Sequence, residues 1–215
     1  MKYVSLLASA TLVLTACSSA PSAPPPAAAQ AAPESSFKAP PSDKAPDHFK
    51  VNFDTSKGLV VVEVNRDDAP NGADRFYNLV ISKFFDGTRF FRVVPNFVVQ
   101  WGIAAEPAMT KTWDKPIQDD PVKTTNACGT LVFAAQSRPN TRTAQMFLNL
   151  RENGRLDQMG FAPFGKVVEG MEFVEQIFPG YGEAPDQDRI TNEGYAYLEK
   201  EFPNLDYIKT ATIAK

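Results

Sequence analysis

From Asp47 onward, apolar and polar positions alternate in short runs. Phe49, Val51 and Phe53 alternate with polar neighbours, Thr55-Ser56-Lys57-Gly58 supplies a turn, and Val60, Val62 and Val64 alternate again, a pattern that predicts a β-hairpin. The period then lengthens. Ala73, Phe76, Tyr77, Val80 and Phe84 recur at helical spacing, with Asn71 as the candidate N-cap and Asp74 in the first turn. After the turn signal Asp86-Gly87, strands are expected over 88–94 and 97–100, separated by Pro95, and again over 130–134, 144–150 and 163–168. A short helix is expected over 170–178, and another over 189–202 with Ile190, Tyr197 and Leu198 turned inward. No internal repeat is present. Many short strands with Gly and Pro punctuation argue for a mainly β, closed architecture, because closure removes free sheet edges.

The first 47 residues follow a different pattern. Lys2 precedes an apolar run over 3–14, too short for a stable membrane span and of the length of a signal-peptide core. The run ends in Leu14-Thr15-Ala16-Cys17, which resembles a bacterial lipobox. The division expected is a lipoprotein signal peptide over 1–16, a lipidated Cys17 opening an Ala/Pro/Ser-rich tether over 17–47, and a folded domain over 48–215. Such a tether has too little apolar bulk to offset the entropy of ordering it. It reaches up to ~90 Å if semi-extended and only ~30 Å if coiled. Several acyl chains give durable attachment to a membrane. Ser18, where an Asp in enteric lipoproteins favours inner-membrane retention, favours the outer membrane and hence a periplasm-facing domain.

Composition adds mostly exclusions. With 43% hydrophobic and 11% aromatic residues, the chain can bury a sizeable core. A net charge of −3 on 22 basic and 25 acidic residues shows no field of either sign, so no nucleic-acid partner is expected. The single histidine, His48, stands at the edge of the tether, which removes Ser-His-Asp catalysis and most zinc sites. Cys128 has no intramolecular mate once Cys17 is lipidated and is expected to be buried or unreactive. Neither a metal nor another cofactor is implied, and a monomer is expected.

Candidate chemistry lies in three strands. A period of two puts Arg92 on the face opposite Phe91 and Val93, places Val98 and Gln100 together, and sets Gln145 with Phe147 opposite Met146, Leu148 and Leu150. Converging, these faces form an apolar recess with an arginine and two amides at its rim, able to hold an extended peptide without a nucleophile or an acid–base pair. Taken alone, the spacing supports no more than a peptide binder.

The successive blocks Phe90-Phe91-Arg92-Val93-Val94-Pro95-Asn96-Phe97-Val98-Val99-Gln100, Gly129-Thr130-Leu131, Pro139-Asn140-Thr141, Gln145-Met146-Phe147, Leu156-Asp157 and Phe164-Gly165-Lys166 resemble the signatures of cyclophilin-type peptidyl-prolyl cis-trans isomerases, in the family's order over about 48–180. The later Gly180-Tyr181-Gly182-Glu183, with Tyr197-Leu198, resembles an extension of one bacterial branch, beginning at about residue 181. The resemblance implies a closed eight-stranded antiparallel barrel capped by two helices, with a C-terminal helical extension and a site on the outer surface. It implies isomerisation of X-Pro bonds in extracytoplasmic proteins, assisting their folding, with no cofactor. Arg92 then matches the catalytic arginine; Phe97, Val98, Phe147 and Leu156 line the proline pocket; Gln100 and Gln145 position peptide and arginine; Ala134, Ala135 and Phe161 lie at its edge. The sequence departs from the pattern at Val98, Ala135 and Phe161, at Trp101 in place of Gly, and at Arg155 in place of Trp, so Trp101 is expected to narrow or reshape one wall. Two other classes compete: a binding module or chaperone of weak turnover on the same scaffold, and a lipocalin-like carrier with its site inside the barrel.

Overall fold

Eight strands and six helices follow one another in the residues that the computed structural model describes, 41–214. The expected signal peptide, Cys17 and the tether up to residue 40 lie outside the described residues. The segment just before the first strand is docked: Asp43 N–H donates to Asn78 Oδ1 at 3.0 Å and Ala45 N–H to Asp74 Oδ1 at 2.8 Å.

The hairpin β1 (His48–Thr55) and β2 (Leu59–Asn65) pairs in the register Val51↔Val62, so the alternating apolar residues share the inner face. The helix α1 (Pro70–Ile81) begins one residue before the expected cap. Pro70 is pre-organised for the first helical position, and the free N–H groups of Asn71 and Gly72 are satisfied from outside by the Asp120 carboxylate at 3.1 and 2.8 Å. Then come β3 (Arg92–Val94), β4 (Val98–Trp101), α2 (Pro107–Trp113), β5 (Thr130–Phe133), β6 (Met146–Asn149), a 3₁₀ helix (Gly154–Met159), β7 (Pro163–Glu169) and α3 (Met171–Val174). The chain ends in α4 (Gln187–Glu193), α5 (Tyr195–Glu201) and β8 (Ile208–Ile213).

All strand pairs are antiparallel, in the order β3-β4-β6-β5-β7-β2-β1-β8. The expected closed barrel is therefore corrected: the end strands β3 and β8 do not form a ladder, and the sheet is an open, curled half-barrel. Among the described residues the seam is spanned by the isolated bridge Arg89↔Tyr207 and a few backbone hydrogen bonds beside it, such as Phe90 N–H to Asp206 O at 3.0 Å and Ile208 N–H to Thr88 O at 2.9 Å. The physical reason lies at the edge of β3. This strand has three residues, and its outward Val93 N–H is taken by Gly182 O at 3.0 Å, so the C-terminal segment covers the edge that closure would have used.

Other expectations also change. Two capping helices and one helix of the C-terminal extension become six helices among the described residues, and the helix expected over 189–202 is two, because Gly194 breaks it at φ +68°. A Cβ there would sit 2.6 Å from Ala105 O, so the close approach also demands glycine. The strand expected over 88–94 is regular only from Arg92. Phe90 consequently points into the main core while Phe91 packs under the C-terminal helices with Ile190, Tyr197 and Leu198.

The main core fills the inside of the curled sheet with Phe53, Phe76, Trp101, Phe133, Leu148 and Phe164 among others. A cavity of about 10 Å³ beside Trp101 and Phe53 leaves no room for a carried ligand at that point, so the lipocalin-like reading finds no support there. A third apolar cluster, Val98, Val132, Phe147 and Leu156, faces outward and forms the floor of the site.

Candidate active site

The outward faces of β3, β4 and β6 lie side by side through the pairs Arg92↔Gln100 and Gln100↔Phe147. That register gathers residues from three strands into one groove of about 500 Å³. Arg92, Phe97, Val98, Gln100, Gln145, Phe147 and Leu156 line it, and Ala134, Ala135 and Phe161 complete its rim. The period of two that turns Val98 and Gln100 outward turns Val99 and Trp101 inward. Trp101 is 1% exposed in the core, edge-on to Phe53 and Phe90, so the expected reshaping of a wall by its indole does not occur. The single buried side-chain polar atom without a partner among the described residues is Trp101 Nε1.

A chain of amides runs along the groove. Arg92 Nη1 donates to Gln100 Oε1 at 3.1 Å, and Gln100 Nε2 donates to Gln145 Oε1 at 2.8 Å. The guanidinium stands over the Phe97 ring, with its carbon 5.8 Å from the ring centroid. Arg155, the departure from Trp, also stands over that ring, with its guanidinium carbon 4.9 Å from the centroid. Phe161 meets Phe147 edge to face at 5.7 Å, with the buried Arg142 guanidinium over it at 5.5 Å. Arg142 is itself held by Asp119 and by Gly160 O at 2.6 Å. The aromatic walls are thus braced from behind by charge rather than left to pack alone.

Beneath the groove lies a polar network that strand patterning does not reveal. Asn149, fully buried, donates to Asn126 Oδ1 at 3.1 Å and Thr130 Oγ1 at 2.9 Å and accepts from Asn153 Nδ2 at 2.7 Å. Asn153 Nδ2 also donates to Phe97 O at 3.1 Å, and Asn126 Nδ2 to Phe161 O at 2.8 Å, so the network fixes the backbone of two pocket aromatics. Its outer member is Asp157. Burial alone would raise the Asp157 pKa, but hydrogen bonds from Asn126 and Thr125 overcome this and hold it below the usual carboxylate value. A folded-state pKa below the unfolded one gives stability that is present above the unfolded pKa of about 3.9 and lost as pH falls through the folded value. The stability advantage of the wild type over Asp157→Asn is therefore expected to be present at neutral pH and to shrink below about pH 4 in urea titrations. An advantage independent of pH would contradict this role for the carboxylate.

Residues outside the expected set also line the groove: Gln136, Thr141 and Thr143 from the loop before β6, and Gln187, Asp188 and Thr191 from α4. Gln187 and Thr191 are four apart and share a helix face, yet nothing in their spacing says what that face meets. Cys128 is half-buried rather than buried, and its thiol donates to Leu150 O at 3.4 Å. Burial, and then Glu152 and Glu175, push its pKa up, which keeps the thiol protonated and poorly nucleophilic.

Residues 50–194 match the family model described as cyclophilin type peptidyl-prolyl cis-trans isomerase/CLD. The chain belongs to the cyclophilin family. Among curated relatives, this cyclophilin is 35% identical over 132 residues to a peptidyl-prolyl cis-trans isomerase of Acinetobacter baylyi, covering 59% of this chain and 70% of the relative. It is 32% identical over 136 residues to peptidyl-prolyl cis-trans isomerase B of Escherichia coli, covering 59% and 82%. Among solved structures, it is similar to a cyclophilin type peptidyl-prolyl cis-trans isomerase of Cryptosporidium parvum, with a TM-score of 0.59 at 20% identity over 78% of this chain and 98% of that one. It is also similar to AquaCyp293 of Hirschia baltica, with a TM-score of 0.58 at 18% identity over 79% and 75%. At these identities the structural likeness speaks for the fold alone.

Proposed function

We propose that this cyclophilin is a peptidyl-prolyl cis-trans isomerase that acts on X-Pro bonds of polypeptides outside the cytoplasm and assists their folding, with Arg92 as its catalytic residue. The observation that carries the reading is the Arg92 guanidinium at the edge of an apolar recess, tied through Gln100 to Gln145 and set over Phe97. The amide C–N bond has partial double-bond character and a barrier of ~18–20 kcal/mol. As it twists, resonance is lost and the proline nitrogen becomes a hydrogen-bond acceptor. A guanidinium aimed at that nitrogen interacts more strongly with the twisted state than with the planar one, which is the condition for acceleration. Arginine suits this role because it stays charged and offers donors in a fixed plane.

In this reading Phe97, Val98, Phe147, Leu156 and Phe161 grip the proline ring while the acyl side rotates. Gln100 and Gln145 hold the arginine and the peptide. Ala134 and Ala135 offer a bank of small side chains along which an extended peptide can lie. Trp101 faces away, so Trp101→Phe is expected to leave kcat/KM within about twofold of the wild type in a peptide assay. A tenfold loss would mean that the core residue acts on the site.

An address in the bacterial envelope follows from the sequence features of residues 1–47. An apolar signal core, the lipobox ending at Cys17 and an Ala/Pro/Ser-rich tether support a lipid-anchored domain facing the periplasm, with Ser18 favouring the outer membrane. Two experiments test the proposal. Catalytic amounts of the protein are expected to speed the slow, proline-limited phase of refolding of a client protein, a phase of tens of seconds or more; no acceleration would contradict the enzymatic reading. Metabolic labelling with a fatty acid is expected to mark the wild type and to disappear in Cys17→Ser; unlabelled wild type would contradict the anchor.

A further inference from the structure

The C-terminal extension reaches the candidate catalytic residue directly. Arg92 Nε donates to Glu183 Oε1 at 2.6 Å, and Arg92 Nη2 lies 2.6 Å from the same oxygen. Glu183 stands in the segment between α3 and α4, outside the β3–β4 hairpin that supplies Phe97 and Gln100. Its placement is fixed on both sides. The preceding Gly182 accepts from Val93 N–H at 3.0 Å, one residue from Arg92, and turns close through Gly182 N–H to Pro179 O and Ala184 N–H to Tyr181 O, both at 2.9 Å. Tyr181 is wedged edge-on between Phe178 at 5.2 Å and Phe202 at 5.0 Å, and Asp186 N–H is held by the Tyr197 hydroxyl at 3.0 Å.

We infer that Glu183 is a positioning residue that aims the Arg92 guanidinium into the groove. The inference rests on the reading of Arg92 as the group that acts on the proline amide. Arginine has five N–H donors in one plane. Glu183 takes the Nε side of that plane and Gln100 takes one N–H of Nη1, which fixes the plane from two directions. Each terminal nitrogen keeps a further N–H for a bound peptide. Without the carboxylate, the guanidinium regains freedom about its last torsions, and part of the aim must be recovered for each turnover. The Glu183 side chain is 62% exposed, and such a pair adds little to stability, so its removal should be felt in turnover rather than in folding.

The test is a kinetic cycle on an Ala-Pro peptide with the whole protein, comparing wild type, Glu183→Ala, Glu183→Gln, Arg92→Ala and the double variant Arg92→Ala/Glu183→Ala. Glu183→Ala is expected to lower kcat by roughly three- to tenfold with KM within about twofold, the pattern for an interaction made in the transition state. Glu183→Gln keeps an acceptor oxygen for Nε and is expected to stay within about twofold of wild type. In the Arg92→Ala background, loss of Glu183 is expected to change nothing further, because the residue acts through the arginine. Glu183→Ala at or above the wild-type rate would overturn the inference, as would an equal proportional loss in both backgrounds or Glu183→Gln falling as far as Glu183→Ala. Wild-type turnover in Arg92→Ala itself would overturn the reading of the arginine, a separate failure.

Discussion

Phe76→Ala is expected to cost about 3–5 kcal/mol of folding stability, the range for removing a fully buried aromatic ring. Phe76 is fully buried on the inner face of α1 and is ringed by Phe49 at 6.3 Å, Phe53 at 6.0 Å, Phe85 at 5.9 Å and Phe164 at 5.2 Å between ring centroids. Phe49, Phe53 and Phe164 come from β1 and β7, strands held in the sheet, and so cannot easily collapse into the space a phenyl ring leaves. The loss therefore combines lost transfer free energy with an uncollapsed cavity and the stacked and tilted contacts between rings. Against a total of about 5–15 kcal/mol for a domain, that places the variant near the threshold of folding. A fall in the urea midpoint at unchanged slope checks the expectation, whereas a loss below about 1 kcal/mol would show that α1 does not pin the open sheet in this way.

The reach of the sequence differed between site and fold for a physical reason. Alternation along a strand decides which face each side chain takes, so period two made legible that Arg92 turns away from Phe91 and Val93, that Val98 goes with Gln100 and that Gln145 goes with Phe147, whereas the meeting of these faces in one groove was implied only by the family resemblance. The same rule, carried one residue further, sends Trp101 inward, against the wall-narrowing that its size suggested. Closure was not legible, because it depends on whether the end strands meet, and that was decided by Gly182 occupying the Val93 edge from a segment about ninety residues later. Short irregular pieces were equally hidden. Strand β8 lies beyond the last pattern read as an element and gains its identity only by pairing with β1, and α2 lies within the long connection between β4 and β5. The amides Asn126, Asn149 and Asn153 read as ordinary turn and strand polar residues; their value to the pocket lies in contacts between loops that no spacing rule connects.

Arg92→Ala is expected to lower kcat/KM on a proline peptide by at least about tenfold, equivalent to ~1.4 kcal/mol of transition-state stabilisation, while the fold persists. The side chain is partly exposed and lies outside the main core, so its removal opens no cavity there. What disappears is a charged, planar donor beside a bond that is losing its planarity, and Gln100, its neighbour at 3.1 Å, has no charge to replace it. Peptide affinity should be less affected, because the recess of Phe97, Phe147 and Leu156 stays intact. Two-dimensional NMR exchange on an Ala-Pro peptide, with wild type and Arg92→Ala measured side by side, reads binding and turnover in one experiment. The account predicts peptide-induced shifts in both proteins, with strong cis–trans exchange peaks for the wild type and peaks weakened at least about tenfold in rate for the variant. Equal exchange rates in the two proteins would contradict it.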